Sequence, residues 1–338
     1  MTTHDGPWRI ATRRSALAQT QARHVGEALQ EATGRSFELV PMSTTGDDHP
    51  DRALEAFDSK GLFVDATRRA VVEGDCHVVV HSYKDLPTEP AEALTIGAVP
   101  RRADPRDALV TREGWRLADI PRDRQVTIGT SSPRRKAQLQ KSRRDLLVQP
   151  IRGNLETRLG KVVNGEVDGI VLALAGLLRL RPKGFDVTVV PLEHGEMLHA
   201  PAQGALAVEC RTGDATTRKA LRRIDDAATR TEVDAERELL RQLQGGCTAP
   251  IGAHATLLPA PGGSAPGGRT GGSAPGGRSG GDGQRLELLG LLSDPTGTRL
   301  YRASHETAAD EPLLLGRVMA ATLLEAGGAE VLERLRQE

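Results

Sequence analysis

Hydrophobic and polar positions alternate in two patterns over residues 1–220. Short apolar runs predict strands, and longer stretches with apolar residues three or four positions apart predict helices. The strand candidates are 8-WRIAT, 37-FELVPMS, 77-HVVVHS, 126-VTIGT, 147-LVQPI and 168-DGIVLALA. The helix candidates are 15-SALAQTQARHVGEALQEA, 62-LFVDATRRAVVEG and 133-PRRKAQLQKSR. Alternation of strands and helices is typical of α/β domains, and the charged link 100-PRRADPRDALV predicts a junction or hinge within the pattern.

The C-terminal part of the chain has a different pattern. Residues 251–258, IGAHATLL, predict a strand, and 284-QRLELLGLLSDPTGTRLYRASHET predicts a β-hairpin that turns at Asp-Pro-Thr-Gly. The stretch 313-LLLGRVMAATLLEAGGAEVLERL predicts a closing helix. Residues 259–283 repeat GGSAPGGR and have nothing apolar to bury, which predicts a flexible surface loop without a function of its own.

Composition restricts the classes of function. The chain has 338 residues, of which 38% are hydrophobic and 27% charged, as expected for a globular protein of two or three domains. Lys+Arg and Asp+Glu balance at 45 each and aromatic residues are 2%, which argues against a nucleic-acid-binding surface. No apolar run is long enough to cross a bilayer, and no signal-peptide pattern is present. We therefore expect a cytoplasmic protein that does not bind membranes.

Two arginines occupy the first turn of one predicted helix. Ser132 is suited to be the N-cap and Pro133 the first helical residue, so Arg134 and Arg135 follow in the first turn. Positive charge at this end opposes the helix dipole. A bound anion would explain the placement, since backbone N–H groups and guanidinium groups would both face it.

Further arginines lie at other junctions between strands and helices. Arg13 follows the first predicted strand, Arg152 follows the strand at 147-LVQPI, and Arg158 lies in the next helix. The carboxyl ends of strands form the ligand-binding edge of α/β folds, so these side chains predict a ligand with several carboxylates or phosphates. Each arginine taken singly also fits a solvated side chain in an arginine-rich protein. Nucleotide-binding glycine motifs are absent, which disfavours a nucleotide.

An acid follows the third predicted strand. Asp85 lies between Lys84 and Leu86-Pro87, and Ser82 adds a further polar group nearby. A carboxylate here fits a turn or helix cap, or it exchanges protons with a substrate and stabilises a cationic intermediate. Upstream, Lys60 and Phe63 fit either the start of a helix or a mobile flap that carries a cation.

The chain has three cysteines, Cys76, Cys210 and Cys247, without metal-ligand spacing. So few thiols, odd in number, fit a reducing compartment. We expect Cys76 and Cys210 to be small buried residues, whereas Cys247 lies on a bare turn, 245-GGCTAPIG. No metal site is expected from the histidines, which lack ligand spacing at His77, His81, His194 and His199.

Eight motifs, in order along the chain, resemble the porphobilinogen deaminase family: IATRRSALA, SKGLF, HSYKDLPT, ADPRDALV, IGTSSPRRKAQL, IRGNLETRL, PAQGALAVEC and GGCTAPIG. The resemblance implies two α/β lobes like those of periplasmic binding proteins and a smaller C-terminal α/β domain. It also implies that the chain crosses twice between the two lobes. It implies a first domain of residues 1–103 and 199–220, a second of 104–198 and a third of 221–338. The insertion at 259–283 has no counterpart in this resemblance.

The resemblance also implies the chemistry. Family members hold a dipyrromethane cofactor through a thioether, which implies Cys247, and the glycines before it would let a pyrrole approach the backbone closely. Four porphobilinogen molecules then add head to tail with loss of ammonia, and water releases linear hydroxymethylbilane for tetrapyrrole and haem synthesis. The resemblance implies Asp85 as the catalytic residue, porphobilinogen as the partner molecule, and a monomer.

The same resemblance assigns the other residues of the site. Lys60 and Phe63 match a mobile loop over the active site, and Gln203 and Gly204 match the cleft. The residues that match contacts to substrate and cofactor carboxylates are Arg13, Arg134, Arg135, Arg152, Arg158, Ser82, Lys84, Ser131 and Ser132.

Two other interpretations stay open. A non-catalytic two-lobed protein that binds an organic polyanion would keep the arginines but would need neither Asp85 nor Cys247. An inactive or specialised copy of the enzyme would keep all the motifs. The presence of both the acid and the thiol favours the enzyme over the binding protein.

Overall fold

The computed structural model describes residues 6–42, 65–243, 249–259 and 283–337. The strands are β1 (Trp8–Arg13), β2 (Phe37–Met42), β3 (Val78–Ser82), β4 (Leu94–Ala98), β5 (Asp107–Thr111), β6 (Thr127–Gly129), β7 (Leu147–Gln149), β8 (Gly169–Ala173), β9 (Thr188–Pro191), β10 (Leu206–Arg211), β11 (Ile251–Leu258), β12 (Arg285–Ser293) and β13 (Leu300–Ala308). The helices are α1 (Ala16–Thr33), α2 (Asp65–Val72), α3 (Pro133–Ser142), α4 (Leu155–Val163), α5 (Leu174–Leu180), α6 (Ala215–Leu221), α7 (Ala227–Gln242), α8 (Pro312–Leu323) and α9 (Ala329–Gln337). The predictions for Lys60, Phe63, Cys247 and residues 260–282 of the repeat lie outside the described residues.

The first two sheets share one topology, with strand orders β2-β1-β3-β10-β4 and β7-β6-β8-β5-β9. Three strands of each sheet run parallel, and the next strand, β10 or β5, is antiparallel to both of its neighbours. β5 is the strand by which the chain enters the second sheet, and β10 is the strand by which it returns to the first. The chain therefore crosses twice between two α/β lobes.

Helix α1 shows how the local sequence forms these lobes. The Ser15 side chain accepts a hydrogen bond from Ala18 N at 3.3 Å and begins the helix, and Gly34 ends it with a φ of 74°. Gly26 lets the helix lie directly against the Phe37 ring of β2, because a Cβ there would come within 2.4 Å of it. The buried face recurs at helical spacing, at Gln21, Ala22, Val25, Gly26 and Leu29.

The strand and helix predictions for the lobes are confirmed within the described residues, with one correction. The stretch predicted as a charged link contains the first four residues of β5, a strand whose five residues are all buried. Its first residue, Asp107, is a fully buried carboxylate. The charge of Asp107 at the start of this apolar run made the segment resemble a link in sequence. In the folded protein, arginine side chains neutralise that charge.

The third sheet is an antiparallel meander in the order β11-β12-β13, covered by α7 and α8. The predicted strand and hairpin are confirmed by β11, β12 and β13. The prediction of one closing helix was wrong, because the segment forms α8 and α9 with a break at Leu324–Gly328. Gly327 has a φ of 114°, and the Tyr301 ring fills the space beside it.

The described helices include none that is long and apolar enough to cross a membrane. The domain boundaries at residues 103, 198 and 220 stay a prediction.

The two crossing segments lie against each other. Ala103 N donates to Gly204 O at 3.2 Å, and Arg102 Nε donates to Gln203 O at 2.8 Å. Gly204 has a φ of 84°, and a Cβ at this position would lie 2.5 Å from Ala103 O. The backbone conformation and the close approach both require glycine here.

Replacing Gly204 by alanine is expected to lower the free energy of unfolding by about 1–3 kcal/mol, because the new Cβ meets a backbone oxygen in a left-handed conformation. Denaturant unfolding followed by circular dichroism measures this. Gly213→Ala is the matched control, since Gly213 is exposed and has open space around it. Equal stability of the two variants would contradict the close approach.

Candidate active-site cleft

The first lobe contributes residues from the carboxyl ends of β1 and β3, two adjacent parallel strands. Arg13 ends β1, and Ser82 ends β3. Gln21 of α1 donates from Nε2 to Ser82 Oγ at 2.8 Å, which fixes the serine. These strand ends meet at one edge of the sheet, as the sequence predicted.

A short 3-10 turn, Tyr83–Asp85, follows β3 and presents the acid. Tyr83 is buried, and the Arg237 guanidinium of α7 lies 4.4 Å from its ring centre. Arg237 also donates to the carbonyl oxygens of Tyr83, Leu86 and Pro87 at 3.1, 3.0 and 2.6 Å. The turn is therefore held from behind, while Asp85 itself is exposed.

The second lobe contributes the ends of β6 and β7. Ser132 caps α3 by accepting from Arg135 N at 3.5 Å, and Pro133 is the first helical residue, as predicted. Ser131 Oγ donates to Ile151 O at 2.7 Å, which joins the segments that follow the two strands. These strands run parallel, so their carboxyl ends share one edge of the sheet.

Two further arginines lie beyond β7. Arg152 is exposed, and Arg158 of α4 is half-buried. Arg158 donates from Nε to Gly153 O at 2.8 Å.

A buried carboxylate, Asp107, which the sequence analysis did not identify as a site residue, connects Arg134 and Arg135 to Gln203. Arg134 Nη1 lies 2.8 Å from Asp107 Oδ2, and Arg135 Nη2 lies 2.7 Å from Oδ1. Gln203 Nε2 donates to the same Oδ1 at 2.8 Å, and Lys84 Nζ donates to Gln203 Oε1 at 3.3 Å. One hydrogen-bonded chain thus runs from the first lobe through the return crossing to β5 and α3.

This arrangement changes the interpretation of the two first-turn arginines. Arg135 uses all three of its nitrogens on protein atoms, two on Asp107 and Nη1 on Val171 O at 2.9 Å. Arg134 donates to Asp107 and to Leu198 O from Nη1. An internal carboxylate therefore supplies part of the negative charge that the sequence assigned to a ligand. A direct ligand contact of either arginine stays a prediction.

The cleft has an excess of positive charge. Burial alone would raise the pKa of Asp107, but Arg134 and Arg135 outweigh it and hold that pKa well below its usual range. Burial lowers the pKa values of Lys84, Arg134 and Arg158, and the charge of Arg135 lowers each of them further. These cations repel one another, which makes the cleft suited to an anion with several carboxylates.

The remaining predicted residues are placed as follows. Gly204 follows Gln203 in the return crossing, and Arg179 Nη2 donates to Gly204 O at 2.7 Å. Cys76 and Cys210 are buried, as predicted. Burial raises the pKa of both thiols, that of Cys210 to about 11, so neither is an accessible thiolate at neutral pH.

Two family models match this chain. The porphobilinogen deaminase dipyromethane cofactor binding domain matches residues 8–219, and the porphobilinogen deaminase C-terminal domain matches residues 230–262. The porphobilinogen deaminase of Acidothermus cellulolyticus is 42% identical over 338 residues, covering 97% of this chain and 92% of the relative. That of Nocardia farcinica is 44% identical over 329 residues, covering 96% of this chain and 88% of the relative.

Among solved structures, the Bordetella pertussis BvgS periplasmic VFT2 domain is similar at a TM-score of 0.37 and 15% identity, over 64% of this chain and 86% of that one.

Replacing Asp107 by asparagine is expected to lower the free energy of unfolding at neutral pH by about 3–5 kcal/mol, because two buried guanidinium groups lose their counter-ion. The folded-state pKa of Asp107 is depressed, so its contribution is complete above the ordinary aspartate pKa of about 4. It is lost as the pH falls below that value. The difference between wild type and variant should therefore shrink in acid, which denaturant unfolding at several pH values measures.

Glu166→Gln is the matched control, because Glu166 is half-exposed and lies 3.8 Å from Lys161. Its loss should stay below about 1 kcal/mol. A loss for Asp107→Asn no larger than that of the control would contradict the buried ion cluster.

Proposed function

Because the chain belongs to the porphobilinogen deaminase family, we infer that it is a hydroxymethylbilane synthase. It condenses four porphobilinogen molecules head to tail, with loss of ammonia, and hydrolysis then releases linear hydroxymethylbilane for porphyrin and haem synthesis. By reaction class this is a transferase. The structural observation that supports the activity is the cation-rich cleft with the exposed carboxylate of Asp85 at its edge.

We propose that the arginines of the cleft bind the substrate's carboxylates. Each pyrrole ring carries an acetate and a propionate, so the number of negative charges rises with each ring added. Planar guanidinium groups suit carboxylates because they donate two parallel hydrogen bonds. The proposed carboxylate contacts are Arg13, Arg134, Arg135, Arg152, Arg158, Ser82, Lys84, Ser131 and Ser132, with Lys60 and Phe63 on the covering loop and Gln203 and Gly204 in the cleft.

Among these residues, Arg158 is the best supported carboxylate partner. Its side chain is half-buried, and burial together with the nearby charge of Arg135 lowers its pKa. A bound carboxylate would stabilise the charged form of Arg158 and so offset both the burial and the repulsion by Arg135. Arg135 also shapes the wall of the cleft, because its guanidinium donates to Asp107 and to Val171 O.

The states of the cysteine thiols are consistent with a dipyrromethane cofactor bound to one of them. Cys76 and Cys210 are buried with raised pKa values, which leaves Cys247 for the thioether. Cys247 lies in the connection between α7 and β11, and α7 also carries the arginine that holds the Tyr83–Asp85 turn. When bound, the cofactor supplies the α-carbon to which the first substrate is joined.

We propose that Asp85 serves the reaction in two ways. The aminomethyl group of porphobilinogen is protonated at neutral pH, as an alkylamine is, so it can leave as ammonia with the electron pair of the C–N bond. Positive charge then develops on the substrate's pyrrole ring, and the Asp85 carboxylate stabilises it by accepting a hydrogen bond from the ring N–H. Once the new C–C bond has formed, the α-carbon loses its proton, and Asp85 is placed to accept it.

We propose domains of residues 1–103 with 199–220, 104–198 and 221–338, and the strands of the three sheets fall within these three divisions. We also propose that the protein acts as a monomer in the cytoplasm on a diffusible small molecule, without nucleic acid or membrane.

The intact mass of the denatured protein tests the attachment. Wild type should carry an added mass equal to two linked porphobilinogen units, and Cys247→Ser should lack it. Cys76→Ala is the control and should keep the added mass, because its thiol is buried. A wild type that stays unmodified and inactive after incubation with porphobilinogen would instead support an inactive copy or a polyanion-binding relative.

Asp85→Asn should reduce product formation by about 10²–10⁴-fold, because the carboxylate that stabilises charge and accepts the proton is removed. Stability should change by less than about 0.5 kcal/mol, since the side chain is exposed. Glu89→Gln removes another exposed acid from the same loop and should retain full activity. Near-normal turnover of Asp85→Asn, measured in a product assay, would refute the assigned role.

A further inference from the structure

Three histidines that are distant in sequence meet between the return crossing and the third sheet. His194 and His199 lie in the segment between β9 and β10, and His254 lies in β11. One ring nitrogen from each lies within 4.8 Å of those of the other two. Sequence spacing disfavoured a metal site at His194 and His199, because the third imidazole comes from a different part of the fold.

The hydrogen bonds of two rings fix which nitrogens have lone pairs. His199 Nδ1 lies 2.9 Å from Ala200 O, which can only accept, so Nδ1 carries the proton and Nε2 has the lone pair. His254 Nδ1 lies 3.0 Å from the lone pair of His199 Nε2, so His254 Nδ1 carries a proton and donates it. The other nitrogen of the His254 ring, Nε2, lies 2.9 Å from Thr256 Oγ1. In both rings an oxygen holds the nitrogen remote from the cluster, as is typical of metal-binding histidines.

The third ring, that of His194, has a nitrogen whose hydrogen-bonding capacity is unused by the residues that the structure describes. His194 Nδ1 is buried and has no hydrogen-bond partner among residues of the described ranges. The ring stacks on His254 with centroids 3.7 Å apart. A buried nitrogen without a partner is costly in a folded protein, and coordination of a cation would satisfy it.

The electrostatic surroundings accept a cation. Burial lowers the pKa of all three rings, that of His254 to about 3, so they are neutral at physiological pH, as metal ligands must be. The charge of Arg102 opposes a cation, but this arginine is paired with Glu236 at 2.7 Å. The other charged groups that act on the cluster are one arginine and two carboxylates, namely Arg106, Asp104 and Glu193.

We propose that His194, His199 and His254 bind one divalent transition-metal ion of the zinc class, with water in the fourth position. Zinc binds imidazole nitrogens at about 2.0–2.1 Å in a tetrahedron, so the three nitrogens take positions roughly 3.4 Å from one another. His194 reaches this geometry by tilting out of its stack on His254. The Nδ1 proton of His254 moves to Nε2 and is donated to Thr256 Oγ1, so the ion binds without net proton release from the rings.

The proposed ion has a structural role. It joins the return crossing to β11, the strand that follows Cys247 in the sequence. The ion therefore stabilises the contact between the third sheet and the two lobes.

Metal titration of the cofactor-bearing enzyme, after dialysis against a chelator, tests the proposal. Co²⁺ is the spectroscopic probe and Zn²⁺ the calorimetric one. We expect one equivalent of each to bind, visible absorption bands typical of tetrahedral Co²⁺, and an unfolding temperature that rises with the concentration of Zn²⁺. Absence of saturable binding to wild type would overturn the proposal.

Variants assign the ligands. His194→Gln and His254→Gln should each weaken Co²⁺ binding at least 100-fold, and Thr256→Val should weaken it about tenfold by freeing the His254 ring. His24→Gln, on the exposed face of α1, is the control and should bind like wild type. Unchanged binding in His194→Gln and Thr256→Val would overturn the site even if His254→Gln fails to fold. Product formation is measured separately, so failure of the metal site leaves the enzymatic proposal intact.

Discussion

The buried ion cluster of Asp107 with Arg134 and Arg135 is the interaction on which the rest of the cleft depends. Such a cluster is not stabilising in comparison with apolar packing, yet losing one partner is costly because the others remain buried and charged. The cluster matters in this protein because of where Asp107 lies in the fold. Asp107 begins the strand by which the chain enters the second lobe, and Gln203 binds it from the segment by which the chain returns. The two crossings are thereby fixed to one carboxylate.

Helix α7 extends this constraint to the third sheet. The fully buried Glu236 pairs with Arg102 of the first crossing and accepts from Ala202 N at 2.6 Å and Ala255 N at 2.9 Å. Arg237, the next residue, holds the turn that presents Asp85. Two adjacent charged residues therefore connect the crossings, the proposed catalytic turn and β11. The fold positions an exposed acid through a half-buried arginine and a buried glutamate that have no chemical role of their own.

Local signals explain what could be predicted. The Ser132-Pro133 start of α3 depends only on neighbouring residues, and the apolar runs of β1, β3 and β8 need no distant partner to be recognised. The Gly327 break was missed although Gly327-Gly328 is a local break signal, because apolar residues continue on both sides of it.

Sequence by itself determined the alternation of strands and helices, the hairpin of the third sheet, the strand ends at which arginines and an acid collect, and the family motifs. Tertiary structure alone decided how those charges pair. Asp107 looked like part of a charged link, because neutralisation by arginines from a helix 27 and 28 residues away leaves no local signal. The histidines of the proposed metal site meet across 55 residues for the same reason. Hydrophobic periodicity is a local property, whereas pairing of buried charges and ligands depends on distances that exist only after folding.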